Sequence, residues 1–298
     1  MPNQPQVVIV TGTSSGFGRL ISLTLARAGF VVFATMREIH GRNAPAAAEL
    51  RGLAEDSPEP LRVLELDVTS DSSVSHCVGE VLRRAGRIDV LVNNAGFGYA
   101  GITETFTIAQ MHEIFETNVF GPMRTIRAVL PQMHRQRSGL LIQISSGAGR
   151  VVLPGMGLYC ASKFALEALT EAFHYDLAAE GIDCISIAPG AYPTGIAEKI
   201  AAGDDPERIL PYGSVRDVPE RLLKQVAASR ADPQEIADKV LELVRTPAGQ
   251  RALRYRIGSG AAGVETINQV CSEIQQKVLA AFGVAEETRF SSKSSAAQ

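Results

Sequence analysis

Seven short runs of aliphatic and β-branched residues recur along the chain, separated by longer stretches of helical character, and few architectures satisfy that rhythm. The runs fall at 7–10, 31–34, 62–66, 90–92, 140–144, 184–188 and 254–257. None alternates polar with apolar as a strand with one wet face would, so each is expected to be a parallel strand covered on both sides. Helices are expected near 16–28, 71–85, 107–136, 159–180 and 232–246. Together these predict an α/β, doubly wound parallel sheet of about seven strands with helices on both faces. Asp232-Pro233-Gln234-Glu235 reads as a helix start, with an N-cap Asp, Pro in the first turn and Glu three residues after the cap. Residues 39–60, rich in Ala and Pro, read as a surface excursion, and 190–230 interrupt the rhythm with Pro and Gly. With no internal repeat and no linker, 1–258 are expected to form one domain, 259–290 a helical extension and the polar 291–298 a disordered tail.

Composition narrows the function. Of 298 residues, 45% are hydrophobic and 20% charged, as in a globular protein. A formal charge of −3 supplies no positive field to draw nucleic acid or acidic lipid. No stretch of 18 apolar residues could span a membrane, and MPNQPQVVIV lacks the basic and long apolar parts of a secretory signal. Cys77, Cys160, Cys184 and Cys271 are widely spaced, without the pairing of a zinc site or a disulfide framework. A cytoplasmic protein without a metal centre is expected.

A glycine-rich turn, Thr11-Gly12-Thr13-Ser14-Ser15-Gly16-Phe17-Gly18, follows the first strand and opens the first helix. Glycines let a phosphate approach the backbone, and the unpaired N–H groups of a helix start point at it. The competing reading is a tight turn with no ligand. Asp67 and Val68 end the third strand, and Asn94, Ala95 and Gly96 follow the fourth. Both groups lie at carboxyl ends of strands, where open α/β sheets bind ligands, although each could also be an ordinary turn or cap.

Tyr159 and Lys163 stand four residues apart, on one face of a helix. Six Tyr and six Lys in the chain make such a pair ordinary by chance, so its chemistry must carry the argument. A phenol with pKa ~10 is a poor proton carrier at neutral pH, but a neighbouring ammonium and a cationic cofactor ring favour the phenolate. Ser146, at the end of the fifth strand, could hold a substrate carbonyl oxygen beside the phenol; Ser145 competes, but alternation lets only one of the two face the site. Pro122 lacks an N–H, so in a continuous helix the carbonyl of Asn118 loses its partner and could hold a water on a proton path from Lys163. A packing kink capped by water is the alternative.

TGTSSGFG, LDVT, NNAG, Asn118, ISS, YCASK and Pro189-Gly190 through Thr194 appear in the order of the short-chain dehydrogenase/reductase family, which this sequence resembles strongly over about 7–195 and more loosely to 258. The stretches Val32-Phe33-Ala34-Thr35-Met36-Arg37 and Tyr159 to Glu167 look most like the branch containing 17β-hydroxysteroid and retinol dehydrogenases. The resemblance implies a Rossmann-like domain and a catalytic tetrad of Asn118, Ser146, Tyr159 and Lys163. It also implies a nicotinamide dinucleotide held by Gly12, Ser14, Ser15, Gly16, Phe17, Gly18, Arg37, Asp67, Val68, Asn94, Ala95, Gly96, Tyr159, Lys163, Pro189, Gly190 and Thr194. The expected reaction interconverts a hydrophobic alcohol and its ketone or aldehyde by hydride transfer, with Tyr159 as acid/base.

NADP(H) is expected ahead of NAD(H), because the end of the second strand carries Arg37 and no acid before Glu38. An Arg37 facing solvent near Glu38 is the alternative. The substrate pocket is expected around Phe97, Tyr99, 151–157 and 192–223. Ala161, Ala165, Ala168 and Ala172 form a small-residue stripe that either packs on the sheet or serves a homodimer or homotetramer, together with the helix from 107. Two rivals are a non-catalytic dinucleotide sensor or scaffold, and a nucleotide-sugar epimerase or dehydratase. The first would be expected to break the tetrad, and the second resembles a TGxxGxxG turn.

Overall fold

The computed structural model describes residues 4–54, 61–194, 200–259 and 261–290. Its strands are β1 (Val7–Thr11), β2 (Val31–Met36), β3 (Leu61–Glu65), β4 (Val90–Asn93), β5 (Gly139–Ile144), β6 (Ile182–Pro189) and β7 (Arg254–Ile257). Its helices are α1 (Gly16–Arg27), α2 (Ala44–Gly52), α3 (Asp71–Ala85), α4 (Ile108–Phe115), α5 (Gly121–Gln136), α6 (Gly157–Ala178), α7 (Val218–Ala227), α8 (Gln234–Arg245) and α9 (Ala261–Ala281). The strands form one sheet in the order β3-β2-β1-β4-β5-β6-β7, every pair parallel. This is the Rossmann-like architecture that the strand rhythm predicts.

Alternation along each strand divides the core. Val8 and Val10 of β1 face α1 and α8, packing with Ile21, Leu25, Ile236 and Val240. Val7 and Ile9 face the other way, onto Val81, Ile126, Val129 and Met133. Both faces are therefore covered, each fully buried Val, Leu or Ile contributing about 1.5–3 kcal/mol. The order of the strands reverses between β1 and β4. Crossovers leave that seam in opposite directions, opening a crevice above the carboxyl ends of the strands.

Three expectations need correction. The excursion at 39–60 contains α2, with Pro45 in its first turn; Ala47 and Leu50 bury against Leu23, Met36 and Val63. The stretch 107–136 is not one α-helix: Glu116–Phe120 form a π turn between α4 and α5, with the N–H of Gly121 donating to the carbonyl of Glu116. Its start is a capping box between Thr107 and Gln110. At the start of α8, Asp232 accepts from the N–H of Gln234 as a cap would, but Glu235 accepts from the Tyr192 hydroxyl at 2.8 Å instead of closing a capping box. Within 190–230, a 3₁₀ segment (Pro206–Asp217) runs into α7. Residues 55–60, 195–199 and the expected tail 291–298 lie outside the described residues.

Candidate active site

The glycine-rich turn is shaped by two close approaches. Gly12 sits at φ +70°, and a Cβ there would lie 2.7 Å from the Cα of Ala95. A Cβ on Gly18 would lie 2.4 Å from Asn94 Nδ2 and 2.5 Å from the carbonyl oxygen of Gly12. Asn94 Nδ2 donates to the carbonyls of Thr11 and Gly12 at 2.9 and 3.0 Å. Thr11 Oγ1 accepts from the N–H groups of Asn94 and Ala95. The turn after β1 is thus laced to the exit of β4, directly over the crevice.

From this turn a single cleft of about 1290 Å³ runs along the carboxyl edge of the sheet. Gly12, Ser14, Ser15, Gly16, Phe17, Arg37, Asp67, Val68, Asn94, Ala95, Gly96, Ser146, Tyr159, Lys163, Pro189, Gly190 and Thr194 all line it. Gly18 and Asn118 stand behind its wall. Asp67 Oδ1 is occupied by Thr69, accepting from its N–H at 2.9 Å and its hydroxyl at 2.8 Å. Arg37 is exposed on the rim, and Glu38 pairs with Arg42 at 3.2 Å rather than with Arg37. Arg42 and Asn43 line the same end, the Asn43 amide donating to the Arg37 carbonyl at 2.7 Å. Residue order did not single out either of them, because the turn between β2 and α2 carries them there.

At the far end, α6 presents Tyr159 and Lys163 from consecutive turns. Ser146 follows β5 in extended conformation, its Oγ accepting from the Ala148 N–H at 3.1 Å, and lies beside the Tyr159 phenol. Burial pushes that phenol above its ordinary pKa, and the neighbouring Ser146 hydroxyl opposes the shift. Ser145 is turned toward the buried carboxylate of Glu167, leaving Ser146 at the phenol. Lys163 Nζ donates to the Ile144 carbonyl at 2.9 Å and lies 5.8 Å from the centre of the Tyr159 ring. Burial pulls its pKa down to about 8, with Glu167 one turn further on pushing the other way.

Asn118 lies in the π turn, 1% exposed. Its Oδ1 accepts from the Phe97 N–H at 3.1 Å, and its Nδ2 donates to the Phe97 carbonyl at 2.9 Å and to Ser162 Oγ at 3.1 Å. The side chain braces the strand leaving β4 beside Lys163. The helix is not continuous here: its i+5 register sets Pro122 opposite Thr117, not opposite the Asn118 carbonyl as expected.

Beyond Tyr159 the walls are mainly apolar: Phe97, Val151, Leu153, Met156, Ile200, Leu223 and Val226. Tyr99 is no part of them; it is 4% exposed behind the wall, its hydroxyl donating to Glu113 at 2.6 Å. Contributors from the far C-terminal part include Val264 of α9 and Arg256 of β7. The Arg256 guanidinium donates to the carbonyls of Ala188, Ile257 and Ser259, and burial lowers its pKa. Neither carries a local sequence signal.

The glycine cradle, the open start of α1 and the length of the cleft fit a dinucleotide, whose reactive end would reach Tyr159. Comparison with known proteins agrees. The chain matches the short chain dehydrogenase family over residues 6–205. It is 34% identical to an uncharacterized oxidoreductase, YusZ, of Bacillus subtilis, over 86% of this chain and 90% of the relative. It is 35% identical to the 17-beta-hydroxysteroid dehydrogenase type 1 of Mus musculus, over 84% and 73%. Among solved structures, an alcohol dehydrogenase from Thermococcus sibiricus complexed with 5-hydroxy-NADP superposes with a TM-score of 0.69 at 27% identity, covering 87% of this chain and 98% of that one.

Proposed function

Because the chain belongs to the short-chain dehydrogenase/reductase family, and resembles named dehydrogenases, one of them solved with 5-hydroxy-NADP, we propose that it interconverts a hydrophobic alcohol and its ketone or aldehyde, preferring NADP(H). The observation that carries this reading is the meeting of Tyr159, Ser146 and Lys163 on the wall of one cleft that begins at the glycine turn. The bound nicotinamide would supply or accept the hydride. Ser146 donates to the substrate oxygen and fixes it beside Tyr159, whose phenolic oxygen takes or returns the proton. Lys163 favours the phenolate by its charge and would hold the nicotinamide ribose, while Asn118 keeps the loop at Phe97 in place. The apolar walls beyond Tyr159 support a hydrophobic substrate. Arg37, without a carboxylate partner among the described residues, supports charge-assisted binding of a 2′-phosphate.

The alanine stripe of α6 faces outward: Ala161, Ala168 and Ala172 are exposed. That supports a homodimer or homotetramer assembled through α6 and the α4–α5 rod.

Tyr159→Phe tests the chemistry. It keeps the ring and removes the titrating proton, so turnover should fall by about 10²–10⁴ with cofactor affinity nearly unchanged. The measurement is absorbance of the reduced nicotinamide across a panel of apolar alcohols and ketones, offered with each cofactor. A variant retaining more than roughly a tenth of wild-type turnover, with chemistry limiting, would remove Tyr159 from the proton transfer.

A further inference from the structure

We infer that Glu167 is a positioning residue for the proposed reaction, its buried carboxylate keeping the Lys163 ammonium charged beside Tyr159 from one turn away on α6. The inference rests on that reading for its effect on turnover alone. Residues four apart share a helix face, so Lys163 and Glu167 stand on one side of α6, and both are buried. The turn after β5 lies directly on that side: a Cβ on Gly149 would come 2.9 Å from Glu167 Cγ and 3.0 Å from the Lys163 carbonyl oxygen. Both charges are thus shut away from solvent and act on each other with little screening.

The surroundings of Lys163 give its charge little other support. Its Nζ donates to one carbonyl, that of Ile144. Gly96 after β4, Asn118 in the π turn and the two serines after β5 approach without charge. Tyr159 and Glu167, both on α6, are the titrating groups on this side, and the pull toward the ammonium form comes from Glu167.

Glu167 in turn is left with charge to spare. Its Oε2 accepts from Ser186 Oγ of β6 at 3.0 Å, while its Oε1 has no hydrogen-bond partner among the described residues. Arg150 approaches from the turn after β5 and Arg254 from β7, but both guanidinium groups are bonded to Glu171, one turn further along α6. Arg150 Nε lies 3.9 Å from Glu167 Oε2, too far for a hydrogen bond. Cys184 of β6 is kept a neutral thiol by burial. Burial also raises the pKa of Glu167, and Ser145, Arg150, Ser186 and Arg254 oppose that shift. Glu171 is therefore matched by two arginines, and Glu167 by Lys163. A brace between α6 and β6 needs no charge, and burying one without a full set of donors costs stability. An ammonium with a single carbonyl for partner does need one.

Lys163 is one of six lysines, so its ¹³Cε signal can be followed by NMR in the lysine-labelled full chain and assigned with Lys163→Met. In the wild type it should titrate near pH 8. Removing a neighbouring opposite charge favours the neutral amine, so Glu167→Gln should lower that midpoint by about one pH unit. Glu167→Asp keeps the charge and should lower it by less than half as much. A midpoint unmoved in Glu167→Gln overturns the inference. So does a ¹³Cδ signal showing Glu167 neutral in the wild type at pH 7, a measurement that stands even where the glutamine variant fails to fold. Turnover at saturating cofactor supplies the other readout. The ratio of wild-type to Glu167→Gln turnover should be near one at pH values well below both midpoints and grow toward about tenfold as pH rises through them. A structural defect lowers turnover by one factor at every pH, so a ratio flat with pH also overturns the inference. A wild type inactive on every alcohol and ketone would remove the proposed reaction and leave the hold of Glu167 on Lys163 to be decided by the NMR midpoints.

Discussion

Lys163 shows at the residue scale how the site is purchased against stability. The residue is 6% exposed, with burial holding its pKa at about 8 against an ordinary 10.5. Since the folded value lies below the unfolded one, the unfolded chain binds more protons between those pH values, and stability rises with pH through that window. The cost of the buried charge is present in full below pH 8 and is relieved as pH climbs toward 10.5. Lys163→Met should therefore stabilise the fold at pH 7 by up to about 3 kcal/mol, while abolishing most turnover and weakening cofactor binding. Urea unfolding at pH 7 and again near pH 10 checks this; an equal gain at both would mean that charge is not the cause. Arg37 carries the other prediction at this scale. If it binds a 2′-phosphate, catalytic efficiency should favour NADP(H) over NAD(H) by roughly ten- to a few hundred-fold, about 1.4–3.4 kcal/mol. Arg37→Asp should reverse that order, and equal efficiencies in the wild type would refute the assignment.

Among the elements, the strand–helix units around the cleft separate what a linear pattern reveals from what packing decides. A Cβ on Gly18 at the head of α1 meets Asn94 and the Gly12 carbonyl, so Gly18→Ala should cost about 1–3 kcal/mol and loosen the cofactor. Gly79 inside α3 has nothing within 4 Å of its would-be Cβ, and Gly79→Ala should stabilise by roughly 0.5–1 kcal/mol with cofactor affinity unmoved. Paired unfolding curves and cofactor titrations decide both, and like signs in the two variants would contradict the account. The strands were legible because unbroken Val, Ile and Leu runs have few other uses, and the glycine turn because its position after β1 gives its spacing meaning. α2 was not, since its stretch of alanines buries only two residues and lacks an amphipathic signal. The π turn was half legible: Pro122 announced a disturbance, but the i+5 register that absorbs it depends on Asn118 bonding to Phe97 across the fold.

For the whole molecule, the site is an assembly of distant segments, and its hidden members share one reason for being hidden. Arg42, Asn43, Arg256 and Val264 reach the cleft only because the sheet order brings β2, β7 and the start of α9 to one edge. Tyr159, Lys163 and Ser146 were readable because α6 and the end of β5 each carry a compact local pattern. The same sheet order bears on how the chain acquires its shape. β1 is the first of the seven strands to be made and lies inside the sheet, yet one of its two neighbours is β4, after which Asn94 bonds to Gly12 across 82 residues of chain. On a ribosome, β1–α1–β2–α2–β3 emerge with one edge of β1 unclaimed, so the crevice at the switch point is also the line along which an early half-sheet waits for a late one. Refolding should accordingly be slow beside that of helical proteins of similar size, since parallel pairing closes long loops before contacts reward it. Pulse-labelled hydrogen exchange should find amides along the β1–β4 ladder protected after those of β1 and β2, and simultaneous protection would show that the seam is no late step.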